Sequence, residues 1–226
     1  MNTEIPQNLA PFIDHTLLKR EATQLEFEKV CAEAVKFGFK TVCVEIEWLP
    51  LVVEKLKDSS VLPIAVVCFP EGTAPTSEKI ERTRAAIQLG AQEIDMVLNR
   101  KVLKEKNYFA VFSDIRAVVE AAGQIPVKVI LETSELTQNE KVIACALSKA
   151  AGAAFVKTST GFSSGGATVE DVRLMRQIVG SEMGVKASGG IRSLEDAIKM
   201  IEAGASRLGT SASVGIVSGK KQQTSY

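Results

Sequence analysis

The chain has 226 residues, 46% of them hydrophobic, a mean hydropathy of +0.11, and 27 basic against 27 acidic side chains. Balanced charge supplies no field that would gather nucleic acid or an anionic membrane, and the length suits one domain with a single large core. The opening "MNTEIPQNLAPF" lacks the charged start and apolar centre of a secretory signal, and no apolar run reaches the roughly 18 residues of a membrane span.

Along the chain a helical pattern repeatedly closes on a glycine, and a short apolar run follows. The first run, 12–15, carries Asp14 and His15. "AEAVKFG" ends on Gly38 before 40–46, which carries Glu45. The run at 62–68 ends on Cys68, with Glu71 just beyond. "RAAIQLG" ends on Gly90 before 93–98, which carries Asp95. "AVVEAAG" ends on Gly123 before 126–131, with Glu132 at its end. "LSKAAG" closes on Gly152 before 153–158 and Lys157. "MRQIVG" closes on Gly180 before 184–188 and Lys186. "MIEAG" closes on Gly204 before 206–210. Glycine at the end of a helix takes the left-handed conformation cheaply. "TQNE" (137–140), "TVED" (168–171) and "SLED" (193–196) each place an acid three residues after Thr or Ser, the pattern of a capping box at a helix start.

The runs are nearly continuous in Val, Ile and Ala, as parallel strands covered on both faces require. About eight βα units in this length predict an α/β fold, a (β/α)8 TIM barrel forming a single domain over 1–226, with a polar, flexible tail at 219–226. An open doubly wound sheet is the alternative, disfavoured because no GxGxxG follows an early strand. The four cysteines, Cys31, Cys43, Cys68 and Cys145, show no CxxC spacing and read as small buried hydrophobes of a reducing, cytoplasmic compartment.

Ionisable residues fall in six runs that are otherwise apolar, and charges inside a packed barrel must pair. Two lysines and an aspartate converging there suit a Schiff-base enzyme. A nucleophilic lysine must be neutral, burial and a second cation both lower its pKa, and a carboxylate can shuttle protons. "SGGIRS" (188–193) and "LGTSASVG" (208–215) follow the last two strands. They read either as tight βα turns or as a phosphate cradle of backbone N–H groups. His15 is the single histidine and reads as a structural hydrogen-bonder, so a histidine-rich metal site is excluded.

"IDHTLL", "EIDMVLN", "FVKTSTGF", "SGGATVEDV", "GVKASGGIR" and "RLGTSASV", in this order and spacing, resemble the deoxyribose-phosphate aldolase family of the class I type, from about residue 9 to 218. The resemblance implies reversible cleavage of 2-deoxy-D-ribose 5-phosphate to D-glyceraldehyde 3-phosphate and acetaldehyde, with no metal or cofactor. Lys157 would form the Schiff base, Lys186 would tune it, and Asp95 would serve the proton relay. The phosphate loops would use Gly161, Gly189, Gly190, Gly209, Ser211 and Ala212, and Asp14, Thr16 and Thr160 would line the pocket. The family also implies a homo-oligomer, a dimer first. Some members end in a tyrosine that reaches the site, and this chain ends in Tyr226, which is either such a contributor or a terminus without a role. Two departures stand out. "CVEI" puts Glu45 where relatives usually carry Asn, and "VVCFPEG" puts Cys68 and Glu71 where "VGFPLG" is commoner. They raise two rivals: an aldolase with another acceptor preference, and a non-catalytic barrel that binds a sugar phosphate.

Overall fold

The computed structural model describes residues 8–219. Tyr226 and the rest of the polar tail from 220 lie outside the described residues. Eight parallel strands close into a barrel in sequence order: β1 (Ile13–Thr16), β2 (Thr41–Glu45), β3 (Leu62–Val67), β4 (Glu93–Val97), β5 (Val127–Ile130), β6 (Phe155–Lys157), β7 (Gly184–Ser188) and β8 (Arg207–Thr210). Closure comes from β8 pairing with β1, where Asp14 stands opposite Gly209. Strand β6 is shorter than the expected 153–158; the other strands agree within a residue or two at either end.

The outer layer is helical: α1 (Gln24–Phe37), α2 (Leu49–Leu56), α3 (Thr76–Gln88), α4 (Arg100–Lys104), α5 (Tyr108–Ala122), α6 (Gln138–Ala150), α7 (Val169–Val179), α8 (Leu194–Glu202) and α9 (Ser213–Ser218). No helix among the described residues is long and apolar enough to cross a membrane. The six glycines expected to stop helices all take positive φ. At Gly38, φ is 69° and its N–H reaches back to the carbonyls of Ala34 and Val35, which ends α1 and turns the chain into β2.

Thr137 with Glu140 and Ser193 with Asp196 form complete capping boxes. The expected box at 168–171 is only half made. Thr168 accepts from the Asp171 N–H, but the Asp171 carboxylate is drawn instead to Lys141 of α6, 2.6 Å away. A further complete box, Thr23 with Glu26, starts α1.

Alternation along the strands separates two environments. In β2, Val42 and Val44 join the large apolar layer between barrel and helices, while Cys43 belongs to a small inner cluster with Leu18, Ile64 and Val66. The other face of the strands also carries Asp14, Asp95, Lys128, Lys157, Lys186 and Arg207, so the fold directs its charges to the axis.

Candidate active site

Asp95 on β4 is fully buried, and three ammonium groups converge on it. Lys157 lies 2.8 Å and Lys186 2.9 Å from Oδ2, and Lys128 lies 2.9 Å from Oδ1. Lys186 also reaches Asp14 Oδ2 at 2.5 Å. Arg207 meets Asp14 at 2.7 Å and grips both oxygens of Glu93 at 3.1 Å, and Lys128 reaches Glu93 at 2.5 Å. Thr41 donates to Asp14 at 2.8 Å. The Phe155 ring faces both Lys128 and Arg207, 5.7 and 5.3 Å from its centroid. Its neighbour Gly184 leaves room for it, since a Cβ there would stand 2.1 Å from the ring.

The charges respond to this setting. Burial pulls Lys157 below the ordinary lysine value; Asp95 opposes this, Lys186 reinforces it, and the net direction is down. Burial also acts to lower Lys186, but Asp14 and Asp95 outweigh it and hold that ammonium charged. Burial would raise Asp95, yet Lys128, Lys157 and Lys186 hold it well below the carboxylate range. Burial likewise opposes ionisation of Asp14, and Lys186, Lys128 and Arg207 together bring it down to about 2. One lysine is thus driven towards the neutral amine while its neighbour stays a cation.

Lys157 also lines a cavity at the C-terminal end of the barrel, where catalytic groups of this architecture sit. Thr16, Thr160, Gly161, Gly189, Gly190, Gly209 and Ser211 of the expected set line it. Lys19, Phe162, Ser188 and Arg192 line it too, although the sequence analysis did not single them out. Lys19 and Arg192 are basic and no carboxylate lines the cavity among the described residues, so its charge suits an anion. Gly189 and Gly190 take φ of 88° and 78°, and a Cβ on Gly189 would sit 3.0 Å from Gly166 Cα. Gly209 has a different reason to be glycine. A Cβ there would meet Ser188 Oγ at 2.1 Å and Lys186 Cε at 2.9 Å, so it makes room for the lysine.

Two expected pocket residues stand elsewhere. Asp14 is fully buried and does not line the cavity, because Lys186 and Arg207 hold it within the barrel. Ala212 is buried off the cavity, and its N–H donates to the Thr210 hydroxyl at 3.0 Å. His15 points away from the axis, with Nδ1 2.8 Å from Ser213 Oγ and Nε2 3.0 Å from Glu33, and so ties β1 to α1 and α9.

Glu132 follows β5 in the left-handed region, with φ of 58°, and is 1% exposed. It accepts from Thr160 N–H at 3.1 Å, Thr160 Oγ1 at 2.5 Å and Ser163 Oγ at 2.8 Å. It therefore fixes the loop that carries Thr160, Gly161 and Phe162 into the cavity wall. Phe162 meets Phe69 edge-on, with centroids 5.3 Å apart.

The departures cluster together. Glu45, Cys68 and Glu71 line a second cleft with Glu47, Glu78 and Arg82, which shares no residue with the Lys157 cavity. Burial, and then Glu47, push the Glu45 carboxyl up to about 7 against Arg82 and Arg20. Cys68 is half-buried rather than buried like the other three cysteines.

The profile described as "DeoC/LacD family aldolase" matches residues 9–224. The chain belongs to this aldolase family. The aldolase is 55% identical over 218 residues to a deoxyribose-phosphate aldolase of Streptococcus sanguinis, covering 96% of this chain and 99% of that one. It is 53% identical over 221 residues to one of Lysinibacillus sphaericus, covering 97% and 99%. Among solved structures, the deoxyribose phosphate aldolase of Aeropyrum pernix, described as having a unique tetrameric structure, superposes with a TM-score of 0.87 at 32% identity, covering 93% of this aldolase and 89% of that chain.

Proposed function

We propose that this aldolase cleaves 2-deoxy-D-ribose 5-phosphate reversibly to D-glyceraldehyde 3-phosphate and acetaldehyde through a Schiff base on Lys157. One observation carries the assignment. Of the interior basic groups Lys128, Lys157, Lys186 and Arg207, only Lys157 both lines the cavity and touches Asp95. The full-length relatives named for this substrate support it.

The uncharged Lys157 amine attacks C1 of the open-chain sugar, and the carbinolamine loses water to give the protonated Schiff base. The C3 hydroxyl gives up its proton, the C2–C3 bond breaks, and its electron pair moves towards the iminium nitrogen. Glyceraldehyde 3-phosphate leaves and an enamine remains. Protonation of the enamine carbon and hydrolysis then free acetaldehyde and the lysine. The Schiff base is itself the electron sink, so the scheme needs no metal. Asp95, whose Oδ2 is shared by Lys157 and Lys186, serves the proton relay, and the charged Lys186 tunes Lys157. The phosphate lies towards Gly189, Gly190 and Ser211, with Lys19 and Arg192 supplying positive charge. Glu45, Cys68 and Glu71 do not line the cavity, although Glu45 shares a further cleft with its wall residues Leu18 and Lys19.

The same reading places the enzyme in the cytoplasm as a homo-oligomer, a dimer first. Exposed Leu25 on α1 and Phe109 on α5 are apolar groups available for self-association, and sedimentation would give the order.

The deciding experiment is trapping. The protein is mixed with acetaldehyde or deoxyribose 5-phosphate, reduced with borohydride, and mapped by peptide mass. An adduct on Lys157 is expected, lost together with turnover in a folded Lys157→Ala variant. An adduct on Lys186 would exchange the two lysines' roles, and none on folded protein would refute the reading.

A further inference from the structure

Glu93, Lys128 and Arg207 have no step in the scheme above, yet they are 4%, 0% and 7% exposed inside the barrel. Taking three charges out of water is costly unless they are paired. Their contacts complete a closed circuit. From Asp95 the ion pairs run to Lys128, Glu93, Arg207, Asp14 and Lys186, and back to Asp95. The circuit holds three carboxylates and three cations, and so carries no net charge. Lys157 hangs from it at Asp95 Oδ2, an oxygen already taken by Lys186. A proton on Lys157 would be a fourth positive charge facing three negative ones. Among the described residues no second carboxylate is in contact with Lys157. β2 contributes the Cys43 thiol, whose pKa burial pushes up to about 11, and β3 contributes the apolar Ile64 and Val66.

We propose that Glu93 and Arg207, away from the cavity, are positioning residues that close this neutral ring and thereby leave Lys157 as the one interior base with no carboxylate to itself, hence the uncharged nucleophile. The proposal rests on Lys157 being the Schiff-base lysine. Opening the ring at either residue changes its charge in opposite senses. Glu93→Gln leaves the ring positive and makes a proton on Lys157 less welcome. Arg207→Met leaves it negative and lets Lys157 keep its proton to higher pH. A purely structural pair would not give opposite signs.

The test follows acetaldehyde adduct formation on Lys157, trapped with cyanoborohydride, as a function of pH. Acetaldehyde is uncharged, so the limb belongs to the enzyme. The limb is expected to move down by about one pH unit in Glu93→Gln and up by about one in Arg207→Met. That is the effect of one charge several ångströms away at an effective dielectric of about 20. Glu93→Gln combined with Arg207→Met restores neutrality and returns the limb to the wild-type position. Arg207→Lys keeps the charge but loses the two-pronged grip, and its limb stays in place. If a single variant does not fold, Lys128→Met substitutes for Arg207→Met and must move the limb up. Shifts of the same sign, or a fixed limb with reduced amplitude, would overturn the proposal. An adduct missing from Lys157 in the wild type would instead refute the proposed function and this proposal with it.

Discussion

Asp95 accepts from three ammonium groups where no solvent reaches it, so it anchors them, and the proposed proton relay runs through it. An amide in its place keeps the shape but carries no charge. Asp95→Asn should lose stability by about 3–5 kcal/mol, the usual cost of leaving buried charges without their partner. It should also lower turnover by roughly 10²–10⁴-fold, the range of a lost acid–base group. Lys157 then faces more positive charge than before and stays uncharged. The trapped acetaldehyde adduct should therefore still form while cleavage of the sugar fails. Urea titration and single-turnover kinetics would separate the two effects, and loss of the adduct together with turnover would count against a relay role.

At the scale of elements, the loop from β6 to α7 depends on one carboxylate of the preceding unit. Glu132 holds Thr160 and Ser163 through three hydrogen bonds, and these fix Thr160, Gly161 and Phe162 in the cavity wall. Glu132→Ala should raise KM for deoxyribose 5-phosphate by about 10-fold or more, as lost charge-assisted bonds of about 1.5–3 kcal/mol imply. It should leave turnover of unphosphorylated deoxyribose and the acetaldehyde adduct nearly unchanged. An equal loss on both sugars would instead indicate general damage to the barrel. The element pattern itself was legible in the sequence, because helix stops such as Gly38 and the box at Thr137 are local signals that need no tertiary contact. Lys157, Lys186 and Asp95 were legible because each interrupts an apolar run. Glu93, Lys128 and Arg207 were not singled out, since a charge near the start of a strand looks like an exposed strand end. Only closure of β8 onto β1 brings Arg207 to Asp14 and across the axis to Glu93. Asp14 was misplaced for the same reason: its strand was legible, but its depth along the barrel axis was not.

For the whole molecule, 27 basic and 27 acidic groups cancel, so stability against pH is set by the few groups whose environment differs most between folded and open chain. Asp14 and Glu45 have opposite signs. Asp14 sits at about 2 in the fold against an ordinary 3.8, so the folded protein binds its proton less readily. Its contribution, about 2 kcal/mol, is fully present above pH 4 or so and is lost as pH falls towards 2. Glu45 sits at about 7 against 4.5, so here the folded protein binds the proton more readily. Its neutral form stabilises the fold below about pH 4.5, and that advantage disappears as pH rises through 7. Together they predict a melting temperature that is highest near pH 4 and falls on both the acid and the neutral side. Glu45→Gln removes the titration at a residue that does not itself line the Lys157 cavity. It should flatten the neutral limb, leave the acid limb in place and keep turnover unchanged. Thermal scans from pH 3 to 9 on the two proteins would check this. A neutral limb unchanged by Glu45→Gln would mean that the second cleft stays open to water and costs its carboxylate nothing.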